Sequence, residues 1–100
     1  MTEILVLGEK PQFRKLLSES LWLAGHQVES VPDAAMLRAH LDNMLPDLVL
    51  LDANTDGFGA MMLYQDLKQK FPNLAVIVYQ CRNYGDVARI KDAVADALEI

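Results

Sequence analysis

The segment from Pro46 to Asp52, PDLVLLD, constrains the fold of this chain more than any other stretch. The four aliphatic residues from Leu48 to Leu51 show none of the alternation that is typical of a strand with one wet face. Such a run predicts a strand that is buried on both faces, as in a parallel sheet covered by helices. Asp52 follows this strand directly, and open α/β sheets bind ligands beyond the carboxyl ends of their strands. The alternative is that Asp52 only begins a turn.

Strand and helix signals alternate along the rest of the chain. Apolar runs predict two further strands, at residues 4–7 and 75–79, and Val28 and Val31 on either side of two polar residues predict a weaker strand at 28–31 that would suit a sheet edge. Four helices are predicted by apolar residues at three- and four-residue steps, beginning near Pro11, Asp33, Met62 and Asp86. Gly25 is placed to end the first helix. The order βαβαβαβα predicts an α/β fold with a parallel sheet and right-handed crossovers, and residues 1–100 are expected to form a single domain.

The composition disfavours several classes of protein. Nine Lys and Arg against 14 Asp and Glu leave a net charge of −5, whereas nucleic-acid phosphates require a basic face. No apolar run approaches the ~20 residues of a membrane span, and the N-terminus lacks a signal-peptide pattern. The single cysteine, Cys81, allows no internal disulfide. We therefore expect a cytoplasmic protein that contacts neither nucleic acid nor a membrane.

Several of these segments resemble the receiver domains of response regulators in bacterial two-component signalling. ILVLGEKP (4–11) resembles the family's first strand and acidic turn, PDLVLLD (46–52) its phosphoacceptor strand, and PNLAVIV (72–78) its fourth strand. The resemblance implies a flavodoxin-like three-layer sandwich with a parallel sheet of order 2-1-3-4-5. It stops before the family's last helix, so we expect a short fifth strand beginning at Leu98 and no final helix.

The resemblance also implies a chemistry for Asp52. This residue falls on the family's phosphoacceptor, which takes a phosphoryl group from a sensor histidine kinase or a phosphotransfer protein. The repulsion between a carboxylate and a phosphate must be screened, so Mg²⁺ with hard oxygen ligands is expected. The implied ligands are Glu9, Asp52 and the backbone carbonyl of Asn54.

Departures from the family pattern predict impaired switching. Gly8 stands where the family has the first of two acidic residues. Gln80 stands at the switch position, where the family has Ser or Thr. Thr55 and Asp56 replace the Met-Pro that often follows the aspartate, and Asp56 either compensates for the missing acid or repels phosphate. The family's lysine after the fifth strand has no counterpart before Ile100.

Three functional interpretations remain open. The first is a phosphorelay module, not an enzyme with turnover, that acts with an output domain or as a homodimer joined at the incomplete sheet edge. The second is a pseudo-receiver that binds proteins or dimerises without phosphorylation. The third and most distant is a calcium loop, because Asp52 to Gly57 matches the first half of D-x-[DN]-x-[DN]-G. Leu63 occupies the twelfth position, where that pattern needs a bidentate Glu.

The remaining apolar and sulfur-containing side chains are interpreted as packing residues. Trp22 is expected in the core beside Leu21 and Leu23, and Cys81 is expected to pack and not to act as a nucleophile. Core gaps are expected to be filled by four methionines, Met36, Met44, Met61 and Met62.

Overall fold

Residues 2–55 and 60–98 are described by the structure, a computed structural model. Within them, four strands and four helices alternate in the predicted order. The strands are β1 (Glu3–Leu7), β2 (Gln27–Val31), β3 (Leu48–Asp52) and β4 (Ala75–Tyr79). The helices are α1 (Pro11–Leu23), α2 (Ala34–Asn43), α3 (Met61–Lys70) and α4 (Gly85–Leu98). No helix in this described part is both long enough and apolar enough to cross a membrane.

The four strands form one parallel sheet in the order β2-β1-β3-β4, as predicted for these strands. The two central strands are β1 and β3, and the pairing of Leu7 with Leu51 aligns their carboxyl ends. Asp52 pairs with Tyr79 in the outer strand β4. Three chain segments that are distant in the sequence therefore end side by side at one edge of the sheet.

Helices cover both faces of this sheet, which confirms the three-layer sandwich. On one face, α2 and α3 pack against β1 and β3 through Leu37, Leu41, Leu63 and Leu67. On the other face, α1 and α4 pack through Leu17, Leu21, Val87, Ile90 and Val94. The strand order reverses direction after β2, so right-handed crossovers place α1 on the face opposite to α2 and α3. Because both faces are covered, the central strands are apolar from Ile4 to Leu7 and from Leu48 to Leu51.

The predicted fifth strand does not begin at Leu98. This residue is the last of α4 and is partly buried against the core that α1 and α4 share. Ile90 and Val94 precede it at four-residue steps on the same helical face, so the helical periodicity continues through Leu98. Glu99 and Ile100, the rest of the predicted strand, lie outside the described residues.

Local sequence signals mark the beginning or end of two helices where they were predicted to do so. Pro11 is the first residue of α1, where its missing N–H costs no helical hydrogen bond. Gly25 follows α1 with φ of 100°, and its N–H donates to the carbonyl of Trp22 at 3.0 Å. The side chain of Asp33 caps α2 by accepting from the N–H of Met36 at 2.9 Å.

The prediction that Trp22 and the four methionines lie in the core is wrong. Trp22 is 66% exposed, because Leu17 and Leu21 occupy the buried face of α1 and the next residue points about 100° away from it. The four methionine side chains are each about half or more exposed, namely those of Met36, Met44, Met61 and Met62. The leucines and valines of the strands and helices fill the core without them.

Candidate functional site

Asp52 is the last residue of β3 and is half-buried, whereas the four residues before it are fully buried. It lies at the carboxyl end of the sheet beside the end of β1. The connection after β1 leads to one side of the sheet and the connection after β3 to the other, so the two loops diverge here. This divergence leaves the crevice in which doubly wound α/β folds bind ligands.

Backbone amides contact both carboxylate oxygens of Asp52. The N–H of Asn54 donates to Oδ1 at 3.0 Å, and the N–H of Glu9 donates to Oδ2 at 3.3 Å. The buried hydroxyl of Thr55 donates to the backbone carbonyl of Asp52. These contacts fix the orientation of the carboxylate and of the turn that follows it.

Asp52 faces a small cavity of about 10 Å³, which has room for about one water molecule. The cavity is bounded by the loop after β1, the start of α1 and the end of β4. Besides Asp52 and Asn54, its lining residues are Gly8, Lys10, Phe13, Arg14, Tyr79 and Cys81.

Two side chains close the corner of the cavity at Gly8. The buried Tyr79 donates its hydroxyl to the carbonyl of Leu7 at 2.9 Å, and Nη1 of Arg14 donates to the carbonyl of Gly8 at 2.7 Å. A β-carbon on residue 8 would lie 2.8 Å from the hydroxyl oxygen of Tyr79. The corner therefore suits glycine, and any larger residue would displace the Tyr79 hydroxyl.

Burial and the negative charge of Asp52 act on two titratable groups at the end of β4. Burial first, and then Asp52, raise the pKa of Tyr79, so its hydroxyl remains a hydrogen-bond donor at neutral pH. The same two causes raise the pKa of the Cys81 thiol, while Lys10 lowers it. The net direction disfavours a thiolate nucleophile at Cys81.

The predicted site residues do not all meet at this cavity. Asp52 and Asn54 line it, the backbone of Glu9 contacts Asp52, and Thr55 supports the turn. Gln80 lies instead in a larger groove on the outer side of β4. At the end of β4, Tyr79 and Cys81 line the Asp52 cavity, and Gln80 does not. Asp56 lies outside the described residues.

The larger groove runs along the outer edge of β4 and the start of α4 and has a volume of about 510 Å³. Its apolar wall includes Val78 and Ile90, and its polar wall includes Arg82, Asp86 and Arg89. β4 is the last strand of the sheet in the described part of the chain, so one backbone edge of β4 has no strand partner there.

Sequence reasoning missed Lys10 and Arg14 as parts of the site. Lys10 is the N-cap residue of α1, and Arg14 lies four residues further on. Residues at this spacing lie on one side of a helix. Two basic residues at i and i+4, directly after the acidic Glu9, were the signal that could have revealed them.

The described residues give little support to a calcium loop. Leu63, at the twelfth position of that pattern, is buried in α3. Asp56 and Gly57 lie outside the described ranges. Within residues 2–55 and 60–98, no group of three or more His, Cys, Asp or Glu side chains is arranged to hold a metal ion.

Comparison with known proteins gives one curated relative. No protein-family model matches the chain. The chain is 30% identical over 86 residues to the C4-dicarboxylate transport transcriptional regulatory protein DctD of Pseudomonas aeruginosa. The alignment covers 86% of the chain and 18% of DctD, so the chain spans about a fifth of that protein's length.

Solved structures share the fold over nearly the whole chain. A chain in the crystal structure of histidine kinase ThkA in complex with response regulator protein TrrA has a TM-score of 0.82 at 20% identity, covering 98% of this chain and 99% of that one. TrrA from Thermotoga maritima in complex with Mg²⁺-BeF has a TM-score of 0.75 at 22% identity, covering 96% and 83%. The signal receiver domain of a signal transduction histidine kinase from Syntrophus aciditrophicus has a TM-score of 0.73 at 25% identity, covering 90% and 70%.

The fold and these similarities define the chain as a receiver-type α/β domain, as the resemblance predicted. Its strand order and three-layer arrangement are those of the flavodoxin-like fold of response-regulator receiver domains. In this domain Gly8 follows β1, and the hydroxyl oxygen of Tyr79 occupies the space beside it.

Proposed function

We propose that this domain is a signal-transduction module of a two-component phosphorelay and that Asp52 accepts a phosphoryl group. The observation that carries the proposal is the half-buried carboxylate of Asp52, oriented by two backbone amides in the crevice between the ends of β1 and β3. The proposed donor is a sensor histidine kinase or a phosphotransfer protein. The fold shared with a chain of the ThkA–TrrA complex supports a kinase as the partner.

The proposed transfer is a nucleophilic substitution at phosphorus. A carboxylate oxygen of Asp52 attacks the phosphorus, a new O–P bond forms, and the bond from phosphorus to the donor breaks. The electron pair of that bond leaves with the donor group, and Asp52 becomes an acyl phosphate. The backbone N–H groups of Asn54 and Glu9 contribute by holding the carboxylate in place before the attack.

Magnesium in this site would be held by Glu9, Asp52 and the backbone carbonyl of Asn54. Proteins commonly bind Mg²⁺ through one or two carboxylates while the ion keeps several waters, so oxygen donors of this kind suit it. When bound, the ion supplies positive charge against the repulsion between the carboxylate and the phosphate. A magnesium complex is known for TrrA, which has the same fold. Thr55 and Asp56, which follow Asn54 in the sequence, are proposed as accessory residues.

We also propose that phosphorylation is only weakly coupled to a conformational switch. Gln80, at the predicted switch position, lines the outer groove and is not among the residues that line the Asp52 cavity. A side chain in that groove must reorient before it can donate to a phosphoryl oxygen on Asp52. In this proposal the domain is not a turnover enzyme, and a separate output domain or partner reads its state.

The cellular setting is proposed on the same basis. The single cysteine suits a reducing compartment, and we propose that the domain acts in the cytoplasm. The net charge of −5 makes a nucleic-acid contact by this domain unfavourable.

Intact-mass spectrometry after incubation with Mg²⁺ and a small-molecule phosphodonor tests the acceptor. The expected result is one phosphoryl adduct on the parent protein and none on Asp52→Asn. Asp42→Asn is the matched control, because it removes an exposed carboxylate on α2, away from the site. Absence of an adduct on the parent protein would contradict the proposed acceptor.

A phosphorylation-independent pseudo-receiver is the second candidate function, and the open edge of β4 favours it. Val78 of this strand is 41% exposed beside the groove. An uncovered strand edge pairs readily with another strand. We propose that the partner is a second copy of the chain, whose β4 pairs antiparallel with the first across a two-fold axis.

Light scattering over a range of protein concentrations tests this dimer. The parent protein is expected to show a dimer that Val78→Lys weakens, because a charge on an edge strand opposes pairing. Lys91→Ala, on the exposed surface of α4, is the control. Lys68 is avoided because its ammonium donates to two backbone carbonyls. A strictly monomeric parent protein at high concentration would contradict the dimer.

A further inference from the structure

A tyrosine hydroxyl occupies the space from which residue 8 could contribute a side chain to the Asp52 cavity. Gly8 and Tyr79 both line this cavity together with Asp52. A β-carbon on residue 8 would lie 2.8 Å from the hydroxyl oxygen of Tyr79, so a side chain at residue 8 would meet this oxygen first. The wall of the cavity therefore carries a neutral hydroxyl where a carboxylate on residue 8 would stand.

Tyr79 is held in this place by packing and by a hydrogen bond. Its side chain is buried in the core that α1 and α4 cover, and its hydroxyl donates to the carbonyl of Leu7 at 2.9 Å. Arg14 fixes the other side of the corner, where its Nη1 donates to the carbonyl of Gly8 at 2.7 Å. Its Cβ would lie 3.2 Å from a β-carbon on residue 8. A residue larger than glycine must therefore move a group that is hydrogen-bonded to the backbone at the end of β1.

The charged side chains around the cavity balance one another among the described residues. The acids are Asp52 and Glu9, whose backbone N–H donates to Oδ2 of Asp52 at 3.3 Å. The cations in the cavity wall are Lys10 and Arg14. Within residues 2–55 and 60–98, no three His, Cys, Asp or Glu side chains are arranged to hold a metal ion, and Asp56 lies outside these ranges. The described part of the site thus has no excess of negative charge that would concentrate a divalent cation.

A phosphoryl group on Asp52 changes this balance. It adds a charge of about −1.5 to −2 and three strong acceptor oxygens. Proteins commonly bind Mg²⁺ through one or two carboxylates together with the phosphate oxygens of a substrate. The phosphoryl oxygens therefore provide the negative charge that a further carboxylate in the wall would otherwise supply. Two ligands that favour each other in this way raise each other's affinity by the same factor.

We propose that Tyr79, by occupying the space beside Gly8, limits the Asp52 site to a low affinity for divalent cations, so that a cation is held firmly there only together with a phosphoryl group. The proposal rests on the proposed function of Asp52 as acceptor and deepens it. Tyr79 acts through the space it fills and not as a ligand, since its hydroxyl proton is donated to the carbonyl of Leu7. Metal binding and phosphorylation are then linked at this site.

Titration with Mn²⁺ alone, followed by paramagnetic broadening of amide NMR signals, tests the role of Tyr79 without phosphorylation. The reporting amides are those of Glu9 and Asn54. Gly8→Asp/Tyr79→Phe is expected to bind Mn²⁺ at least about tenfold more tightly than Tyr79→Phe, because it adds a carboxylate where the hydroxyl stood. Gln69→Asp/Tyr79→Phe is the matched control, because it adds the same charge at an exposed position of α3 outside the cavity.

Three results of this titration would overturn the inference. The first is a parent protein that binds Mn²⁺ as tightly as Gly8→Asp/Tyr79→Phe, since its site would then already have a high affinity. The second is a folded double variant that binds no more tightly than Tyr79→Phe. The third is an equal gain in Gln69→Asp/Tyr79→Phe, which would assign the effect to net charge and not to the corner. The dispersion of the amide spectrum establishes that each variant is folded.

Beryllofluoride, an analogue of the phosphoryl group, gives a second measurement that depends on no variant. Its addition to the parent protein is expected to tighten Mn²⁺ binding by about tenfold or more. If Asp52 forms the phosphoryl adduct in Mg²⁺ but beryllofluoride leaves the Mn²⁺ affinity unchanged, the inference is overturned and Asp52 remains the acceptor. Absence of the adduct would overturn the acceptor function itself, while the Mn²⁺ titration of the variants would still decide whether Tyr79 limits the metal affinity.

Discussion

The hydroxyl oxygen of Tyr79 lies 2.8 Å from the point that a β-carbon on Gly8 would occupy. The tyrosine belongs to β4 and the glycine follows β1, and β3 lies between these two strands in the sheet. The tyrosine thus reaches past the end of β3 to bond the carbonyl of Leu7. This contact joins the three strand ends that surround Asp52 and determines which side chains can stand beside it.

Substitution of Gly8 tests this packing directly. Gly8→Ala is expected to lower the free energy of unfolding by about 1–3 kcal/mol, because the added methyl overpacks a closed corner. The cost should be smaller in a Tyr79→Phe background, which removes the clashing oxygen, although the Cβ of Arg14 at 3.2 Å remains close. Urea denaturation of the four proteins of this double-mutant cycle measures the coupling. Equal costs in both backgrounds would show that the tyrosine hydroxyl does not limit this position.

The stability of the domain should depend on Tyr79 at alkaline pH. Burial, followed by the charge of Asp52, raises the pKa of Tyr79 above the ordinary value of 10.0. Above about pH 10 the unfolded chain loses this proton while the folded chain keeps it, so the folded state is destabilised by up to ~1.4 kcal/mol per pH unit. At neutral pH both states keep the proton and this effect is absent.

Comparison of the parent protein with Tyr79→Phe isolates that effect. At neutral pH the variant should be less stable by about 1 kcal/mol, since it lacks the bond to the Leu7 carbonyl. The difference should shrink as the pH rises above 10, because phenylalanine does not ionise. Urea denaturation from neutral pH to above pH 10 measures this difference in stability, with Tyr84→Phe at an exposed position as the control. A difference that stays constant with pH would contradict the raised pKa.

Asp86 is expected to stabilise the start of α4. Its buried carboxylate accepts from the N–H of Arg82 at 2.7 Å and of Asn83 at 3.4 Å, and it pairs with Arg89. Asp86→Ala should lower the free energy of unfolding by about 1–3 kcal/mol, because two backbone donors lose their acceptor. Arg89→Ala should cost less than ~1 kcal/mol, since the arginine side chain is largely exposed.

Thermal or urea unfolding of these variants provides the measurement. Asp92→Ala, at an exposed position of the same helix, is the matched control and should change stability by less than ~0.5 kcal/mol. If Asp86→Ala behaves like Asp92→Ala, the contacts of Asp86 contribute little to the stability of the fold.

The reactivity of Cys81 should report the charges in the Asp52 cavity. Burial, followed by Asp52, raises the pKa of this thiol, and Lys10 lowers it. Asp52→Asn should therefore increase the thiolate fraction at neutral pH and speed alkylation by iodoacetamide, whereas Lys10→Ala should slow it. Asp66→Asn, at a carboxylate outside this cavity, is the control. Identical rates for all four proteins would mean that Asp52 and Lys10 do not act on the thiol.

The elements of the fold could be predicted because their signals are local. The unbroken aliphatic run of Leu48 to Leu51 predicts a buried strand, and the observed β3 is fully buried there. Gly25 ends α1 with a positive φ, and Asp33 caps α2, each through contacts with residues at most three positions away. The prediction was wrong where two local signals overlapped, since Leu98 extends the apolar face of α4 and does not begin a strand.

The candidate site could be predicted only in part. The resemblance pointed to Asp52, and the adjacency of β1 and β3 brings the amide of Glu9 to its carboxylate. The resemblance also pointed to Gln80, but this residue lines the outer groove and not the cavity, whose wall at the end of β4 is formed by Tyr79 and Cys81. The sequence did not lead to the prediction that Lys10 and Arg14 line the cavity beside Asp52.

The sequence by itself determined the order of strands and helices, the parallel sheet and the strand that ends in Asp52. These features follow from the spacing of apolar residues and from turn residues that act within a few positions of the chain. Only the tertiary structure decided what surrounds the carboxylate, because the contact of Tyr79 with Leu7 joins residues that are 72 positions apart and that of Glu9 with Asp52 joins residues 43 apart. Such contacts depend on strand register and on the space left at a closed corner, and no local pattern in the chain encodes either.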